Sequence, residues 1–155
     1  MSGSAASVMS SPSCPLCVAP RGVLVFQGEK FRVICAGEAG FPAFYRVIWT
    51  QHVAEFSDLS AQDRTLCMAV VNVVELALRA HLQPTKINLA ALGNVVPHLH
   101  WHVIARFDWD SHFPSPVWCE PQRPPNPVAL AEIQSRLSAV EQAVQQELSV
   151  LCSIL

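Results

Sequence analysis

The apolar and polar positions of this chain predict five β-strands and two long helices. Runs rich in β-branched and aromatic residues at 23–26 and 31–35 are separated by a short polar turn, which predicts a hairpin. Similar runs predict three more strands, at 44–49, at 86–92 and in the histidine-containing stretch 94–106. Because Gly93 and Asn94 make the turn between the last two strands, these strands are expected to be antiparallel neighbours.

Two helices follow from capping signals and helical periodicity. Ser60 and Asp63 have the spacing of a capping box at the start of the first helix. Asn126 and Pro127 supply an N-cap and a first helical residue for the second. The second helix carries an apolar stripe at three- and four-residue spacing: Leu130, Ile133, Leu137, Val140, Val144, Leu148 and Leu151. The order of elements predicts an α+β domain, a mainly antiparallel five-stranded sheet with helices on one face.

Composition divides the chain into four parts. Residues 1–13 are small and polar and are interpreted as a disordered lead-in without the features of a signal peptide. Residues 14–118 form the predicted domain, and 119–127 a proline-rich linker. Residues 128–155 form the C-terminal helix, whose apolar face is expected to pack on its own sheet or on a second copy.

Charge and cysteine content narrow the class of partner. Only 14% of residues are charged, against about 25% in an average soluble domain, which suggests that a second subunit covers part of the surface. The net charge of −2, without a basic run, argues against a nucleic-acid polymer. No uninterrupted apolar run approaches the roughly 18 residues of a membrane span. Six cysteines without a secretory signal favour the cytoplasm, a reducing compartment in which cysteines serve as metal ligands or buried thiols. Of the six, Cys35, Cys67 and Cys119 are expected to be buried.

Three histidines alternate with apolar residues in the last strand. Alternate residues of a strand share one face, so His98, His100 and His102 are expected to lie in a row about 6.5 Å apart. Three histidines in register, of six in the chain, are unlike ordinary structural histidines. A metal site made of all three is an open alternative, because imidazole is a common zinc ligand.

The run His98-Leu-His100-Trp-His102-Val-Ile104 resembles the signature of the histidine triad (HIT) superfamily. The resemblance covers residues 14 to 118 and includes the Cys14-x-x-Cys17 pair and Asn88. It implies a HIT-like fold and a nucleotide hydrolase or transferase acting at the α-phosphate. His100 would then be the nucleophile that forms a nucleotidyl-histidine, and His102 would stabilise charge on the phosphate. Asn88 and Asn94 are expected to contact the substrate.

Four residues form a candidate zinc set: Cys14, Cys17, His52 and His98. Two thiolates and two imidazoles are typical of closed structural zinc sites, and some HIT branches use a similar ligand set. In that case His98 is structural, and catalysis, which needs no metal, depends on His100 and His102.

The departures from the family pattern bear on substrate preference. The place where many HIT proteins carry a ribose-binding Asp falls near Ala36, and Asn94 replaces a more usual Gln. The expected substrates are adenosine phosphoramidates or dinucleoside polyphosphates, handled by a homodimer. Two alternatives remain: a non-catalytic nucleotide- or zinc-binding protein, and a zinc hydrolase that uses the whole triad.

Overall fold

A single five-stranded sheet with the two long helices on one face forms the framework of the protein. The computed structural model describes residues 10–154, so most of the predicted lead-in lies outside the described residues. In chain order the elements are α1 (Pro15–Val18), β1 (Val23–Gln27), β2 (Phe31–Cys35), β3 (Phe44–Trp49), a 3₁₀ turn (Phe56–Asp58), α2 (Ala61–Leu82), β4 (Lys86–Ala90), β5 (His100–Arg106) and α3 (Pro127–Ser153).

The sheet has the strand order β1-β2-β3-β5-β4, and every neighbouring pair is antiparallel. The predicted β1–β2 hairpin and the predicted pairing of β4 with β5 are both present. The predicted fold class, α+β with a five-stranded antiparallel sheet, a central helix and a long C-terminal helix, is therefore confirmed.

The main core lies between the sheet and the two long helices. Alternation along β5 points Val103 and Ala105 towards α2 and α3, where they join the largest cluster of buried apolar side chains. The predicted stripe of α3 supplies its buried residues: Ile133, Leu137, Val140, Val144 and Leu148. Since α3 packs on α2 and β1 of its own chain, this amphipathic face is buried within one subunit.

Both helix starts agree with the capping residues in the sequence. The Ser60 side chain accepts a hydrogen bond from the Asp63 N–H at 3.1 Å, and Lys30 forms an ion pair with the Asp63 carboxylate. At α3, the Asn126 side chain accepts from the Ala129 N–H at 3.1 Å. These bonds satisfy backbone donors that the first helical turn leaves unpaired.

Helix α2 is long and apolar enough to cross a membrane when judged by length and composition, with a mean hydropathy of 1.5. In the fold, however, Val70, Val74 and Leu78 of this helix are fully buried in the main core. A core helix of a globular domain meets the same criterion, so the helix is accounted for by its packing.

Two local expectations are wrong. The last strand begins at His100, so His98 lies in the loop before it rather than in the strand. Cys119 is exposed, whereas Cys35 and Cys67 are buried as predicted. Cys119 lies in the irregular proline-rich segment on the surface, which does not form a strand or a helix that packs on the core.

Candidate functional site

The face of the sheet opposite α2 and α3 carries a cluster of two cysteines and two histidines. Cys14, Cys17, His52 and His98 place their ligand atoms within 4.8 Å of one another. The single turn of α1 brings the two thiols together, and Arg32 fixes this turn by donating to the Leu16 carbonyl at 2.6 Å. The structure thus assembles all four residues of the predicted metal set.

The distances in this cluster fit a tetrahedral zinc ion. With Zn–N about 2.0 Å and Zn–S about 2.3 Å, two nitrogens lie about 3.3 Å apart, and a nitrogen and a sulfur about 3.5 Å apart. The Nδ1 atoms of His52 and His98 are 3.3 Å apart, and the Sγ–Nδ1 distances are 3.4 Å for Cys14–His98 and for Cys17–His52. The donor set is therefore the size and shape of a closed structural zinc site.

The protonation state of His98 agrees with a role as a ligand. Its Nε2–H donates to the Trp49 carbonyl at 2.6 Å, which leaves the lone pair on Nδ1, the atom that faces the cluster. Burial lowers the pKa of His98, so the ring is neutral at pH 7. The first histidine of the triad therefore belongs to the metal cluster, while its backbone reaches the next histidine.

His100 lines an open cavity, and one of its two ring nitrogens has no hydrogen bond within the part of the chain that the structure describes. Its Nδ1–H donates to the His98 carbonyl at 2.6 Å, and because a carbonyl only accepts, the lone pair is on Nε2. Burial lowers the pKa of His100, and the positive charge of Arg46 lowers it further, so the ring is neutral at pH 7. The cavity has a volume of about 370 Å³ and is lined by Pro15, Leu16, Arg21, Arg46, Val95, Val96 and His100.

His102 lies beside His100 in the opposite tautomer. The two rings meet edge to face with centroids 4.9 Å apart. Arg46 Nε donates to His102 Nδ1 at 3.4 Å, which places the proton of the neutral ring on Nε2. Burial first, and then the charges of His100 and Arg46, lower the pKa of His102 to about 4. The pair thus combines a nucleophilic nitrogen with a neighbouring N–H donor.

Asn88 lies on the same face as His102 and is oriented by a buried arginine. Its partner in the β4–β5 register is Ile104, two residues from His102. Arg106 Nη1 donates to Asn88 Oδ1 at 2.8 Å, so the amide nitrogen points away from the arginine and is free to donate. Arg106, 1% exposed, forms an ion pair with Asp110 at 2.8 Å.

The other residues predicted from the sequence differ in their surroundings. Asn94 is exposed in the loop before β5 and does not line the cavity, although its neighbours Val95 and Val96 do. Trp101 lies on the opposite face and packs against Phe56 in the main core, as its position in the strand predicts. Trp118 lies against His102, with ring centroids 5.3 Å apart.

Sequence reasoning missed Arg46 and its ion pair with Glu38, although Glu38 is the acidic residue nearest the position of the family's ribose-binding Asp. Arg46 lies directly opposite His102 in the β3–β5 register and forms an ion pair with Glu38 at 2.6 Å. The available signal was a single arginine at an alternate position of an otherwise apolar strand, the face opposite to the core. This pattern identifies Arg46 as a charged residue on the site face, but it does not show that Glu38 pairs with it.

The comparisons with known proteins concern the family and the fold. The HIT domain family model matches residues 20–109. No curated protein matches the chain. Among solved structures, a histidine triad protein from Bradyrhizobium japonicum is 27% identical with a TM-score of 0.66, covering 81% of this chain and 92% of its own. One from Sinorhizobium meliloti is 25% identical with a TM-score of 0.65, covering 80% and 90%.

A third similar structure is a Zn-bound histidine triad family protein from Mycobacterium smegmatis. It is 20% identical, with a TM-score of 0.62, and the match covers 89% of this chain and 97% of that one. At this level of identity the likeness concerns the fold.

Proposed function

Because this chain belongs to the HIT domain family, we propose that it is a nucleotide hydrolase that acts at the α-phosphate through a covalent intermediate on His100. The observation that carries the proposal is the hydrogen bond from His100 Nδ1–H to the His98 carbonyl, which leaves the Nε2 lone pair free on a ring that lines the cavity. A neutral imidazole attacks without first losing a proton and also leaves readily in the second step.

The proposed reaction has two displacement steps. In the first, His100 Nε2 forms a bond to the α-phosphorus, and the bond from phosphorus to the leaving group breaks. The leaving group keeps the electron pair and takes a proton from solvent. In the second, a water oxygen attacks the same phosphorus, the P–N bond breaks, and the electron pair returns to Nε2 while the water proton goes to solvent. The products are the nucleoside monophosphate and the free leaving group.

The neighbouring residues would hold the phosphate during both steps. His102 Nε2–H donates to a non-bridging oxygen, and the free amide nitrogen of Asn88 gives a second donor on the same face. Since both His100 and His102 are neutral at pH 7, the positive charge near the phosphate comes from Arg46 and Arg21, which line the cavity.

Zinc has a structural role in this proposal. When bound at Cys14, Cys17, His52 and His98, it joins α1 to the loops around the site and supplies no chemistry at the reacting phosphorus. The ligand set also fixes His98, whose carbonyl orients the nucleophile. The proposed substrates are adenosine phosphoramidates or dinucleoside polyphosphates, and the proposed assembly is a cytoplasmic homodimer without nucleic-acid or membrane partners.

Turnover that depends on His100 tests the proposal. AMP release from adenosine 5′-phosphoramidate is measured with a chelator present, for wild type, His100→Ala and the control His81→Ala on α2. We expect a loss of ~10³-fold or more in His100→Ala and none in the control. Acid quenching of the wild type is expected to trap an adenylyl group on the protein. Equal, negligible rates would favour the non-catalytic binding protein. Chelator-sensitive turnover in which acid quenching traps no adenylyl group on the protein would favour a zinc hydrolase.

A further inference from the structure

Arg46 connects the phosphate side of the site with an acidic residue outside it. It lies opposite His102 on the site face of the sheet, and its Nε donates to His102 Nδ1 at 3.4 Å. Its Nη2 donates to Glu38 Oε1 at 2.6 Å. One guanidinium therefore contacts the phosphate-side histidine at one end and a carboxylate at the other.

The cavity above His100 has the charge of an anion site. Arg46 and Arg21 both line it, and among the described residues no carboxylate does. A guanidinium with N–H donors in a planar fork matches two oxygens of a phosphate group. His102 and Asn88 already supply donors for the α-phosphate, so these two arginines can also offer donors to a further phosphate group.

The ion pair between Glu38 and Arg46 is of a kind that a phosphate group can replace. The Glu38 side chain is 46% exposed and belongs to a turn with Gly37 and Gly40 at φ of +60° and +79°, conformations that favour glycine. The turn is closed by a hydrogen bond from the Phe41 N–H to the Glu38 carbonyl, which does not involve the carboxylate. A partly exposed ion pair is weak, so a phosphate group is a stronger partner for the same guanidinium.

We propose that Arg46 binds a second phosphate group of the nucleotide, exchanging Glu38 for it, and that the site therefore prefers nucleotides with two or more phosphate groups. The proposal relies on the proposed function for one point, the position of the α-phosphate at His100. The second phosphate lies either further along the 5′ chain or on the ribose, where Ala36 stands in place of the family's acidic residue.

Binding to the His100→Ala variant, which cannot turn the ligand over, tests this exchange. Titration calorimetry without added metal compares AMP, ADP, ATP and adenosine 3′,5′-bisphosphate. A second phosphate is expected to raise affinity by roughly tenfold or more. A gain with ADP places the phosphate on the 5′ chain, and a gain with the 3′,5′-bisphosphate places it on the ribose. Equal affinities of AMP and all three other ligands overturn the proposal.

The two members of the ion pair should act in opposite directions. Added to the His100→Ala background, Arg46→Gln is expected to remove the gain from the second phosphate, and Arg46→Lys to restore part of it. Glu38→Gln is expected to raise the affinity for ADP or the bisphosphate up to about fivefold, because the competing carboxylate is gone. A purely structural ion pair predicts losses in both variants, and that result would overturn the proposal.

A second glutamate–arginine pair serves as the control. Arg79 and Glu75 form a surface pair on α2, with Arg79 exposed and Glu75 half-buried. Neither lines the cavity above His100, so Arg79→Gln and Glu75→Gln should leave all affinities unchanged. The assay also separates this inference from the proposed function. Turnover by His100 without a preference for the second phosphate refutes only the inference, while the preference without turnover refutes only the hydrolase.

Discussion

The buried ion pair between Arg106 and Asp110 is predicted to be essential to the stability of the site face. The Asp110 carboxylate accepts from Arg106 Nε and Nη2 at 2.8 and 3.0 Å. It also accepts from the backbone N–H groups of Phe107, His112 and Phe113 at 3.2, 2.9 and 2.7 Å. Both charged side chains are almost fully buried, at 2% and 3% exposure.

Asp110→Asn keeps the shape of this side chain but removes its charge and one acceptor oxygen. If the amide nitrogen replaces Oδ2, the Arg106 Nε–H and the Phe107 N–H lose their acceptor. If it replaces Oδ1, the Arg106 Nη2–H and two backbone N–H groups lose theirs. Each unsatisfied buried donor costs about 1–3 kcal/mol, and two of them cost about 2–6 kcal/mol. This agrees with the roughly 3–5 kcal/mol for breaking a buried ion pair, so we expect a loss of about 4 kcal/mol.

Urea unfolding at pH 7, followed by tryptophan fluorescence, measures this loss. Asp108→Asn is the matched control, because Asp108 is exposed in the same turn, and it should change the free energy of unfolding by less than about 0.5 kcal/mol. The dependence on urea concentration should keep its slope in both variants. A loss below about 1 kcal/mol in Asp110→Asn would refute the reasoning.

Two further predictions concern pH and metal. The pKa of His102 lies near 4 in the fold against 6.5 in the unfolded chain, so below pH 6.5 the unfolded state gains a proton that the fold does not. About 3 kcal/mol of the free energy of unfolding should be lost between pH 6.5 and 4. Urea unfolding should show a smaller loss over this range in His102→Gln, and the same pH dependence in variant and wild type would contradict the prediction. Cys14→Ser should purify without stoichiometric zinc and melt about 5 °C or more below wild type, whereas exposed Cys119→Ser should match wild type in metal analysis and Tm.

The link between the zinc ligands and the nucleophile explains why the two sites are adjacent. His98 contributes its ring to the cysteine–histidine cluster and its carbonyl to His100. Any shift of His98 therefore changes the orientation of the His100 ring. A metal ion held by four side chains would fix the position of His98 and therefore of its carbonyl. A structural metal would in this way preorganise the nucleophile without contacting the substrate.

Most secondary structure was predictable because it depends on local spacing. The apolar stripe of α3 identified every buried position from Ile133 to Leu148, since a period of 3.6 residues puts these side chains on one face. The cap at Asn126 and the antiparallel partnership of β4 and β5 followed in the same way from residues close together in the chain. These features need no knowledge of distant contacts.

The candidate metal set was also predictable, through residue chemistry and the family resemblance. Cys14 and Cys17 are close in sequence, and only a few histidines were available to complete the set. The predicted strand position of His98, by contrast, was wrong. Its ring bonds to Trp49 and faces Cys14, which lie 49 and 84 residues away, and these contacts outweigh the local alternation that predicts a strand.

The sequence by itself therefore determined the elements, their buried faces and the chemical types present in the site. Tertiary structure decided which residues meet. Alternation places Arg46 on one face of β3, but the pairing of β3 with β5 puts it opposite His102, and the turn before β3 brings Glu38 to it. Asn88 on β4 likewise receives its orientation from Arg106 on the neighbouring strand β5. Side-chain periodicity is a property of one strand, whereas register between strands and the folding of a turn onto a sheet depend on the whole packed chain.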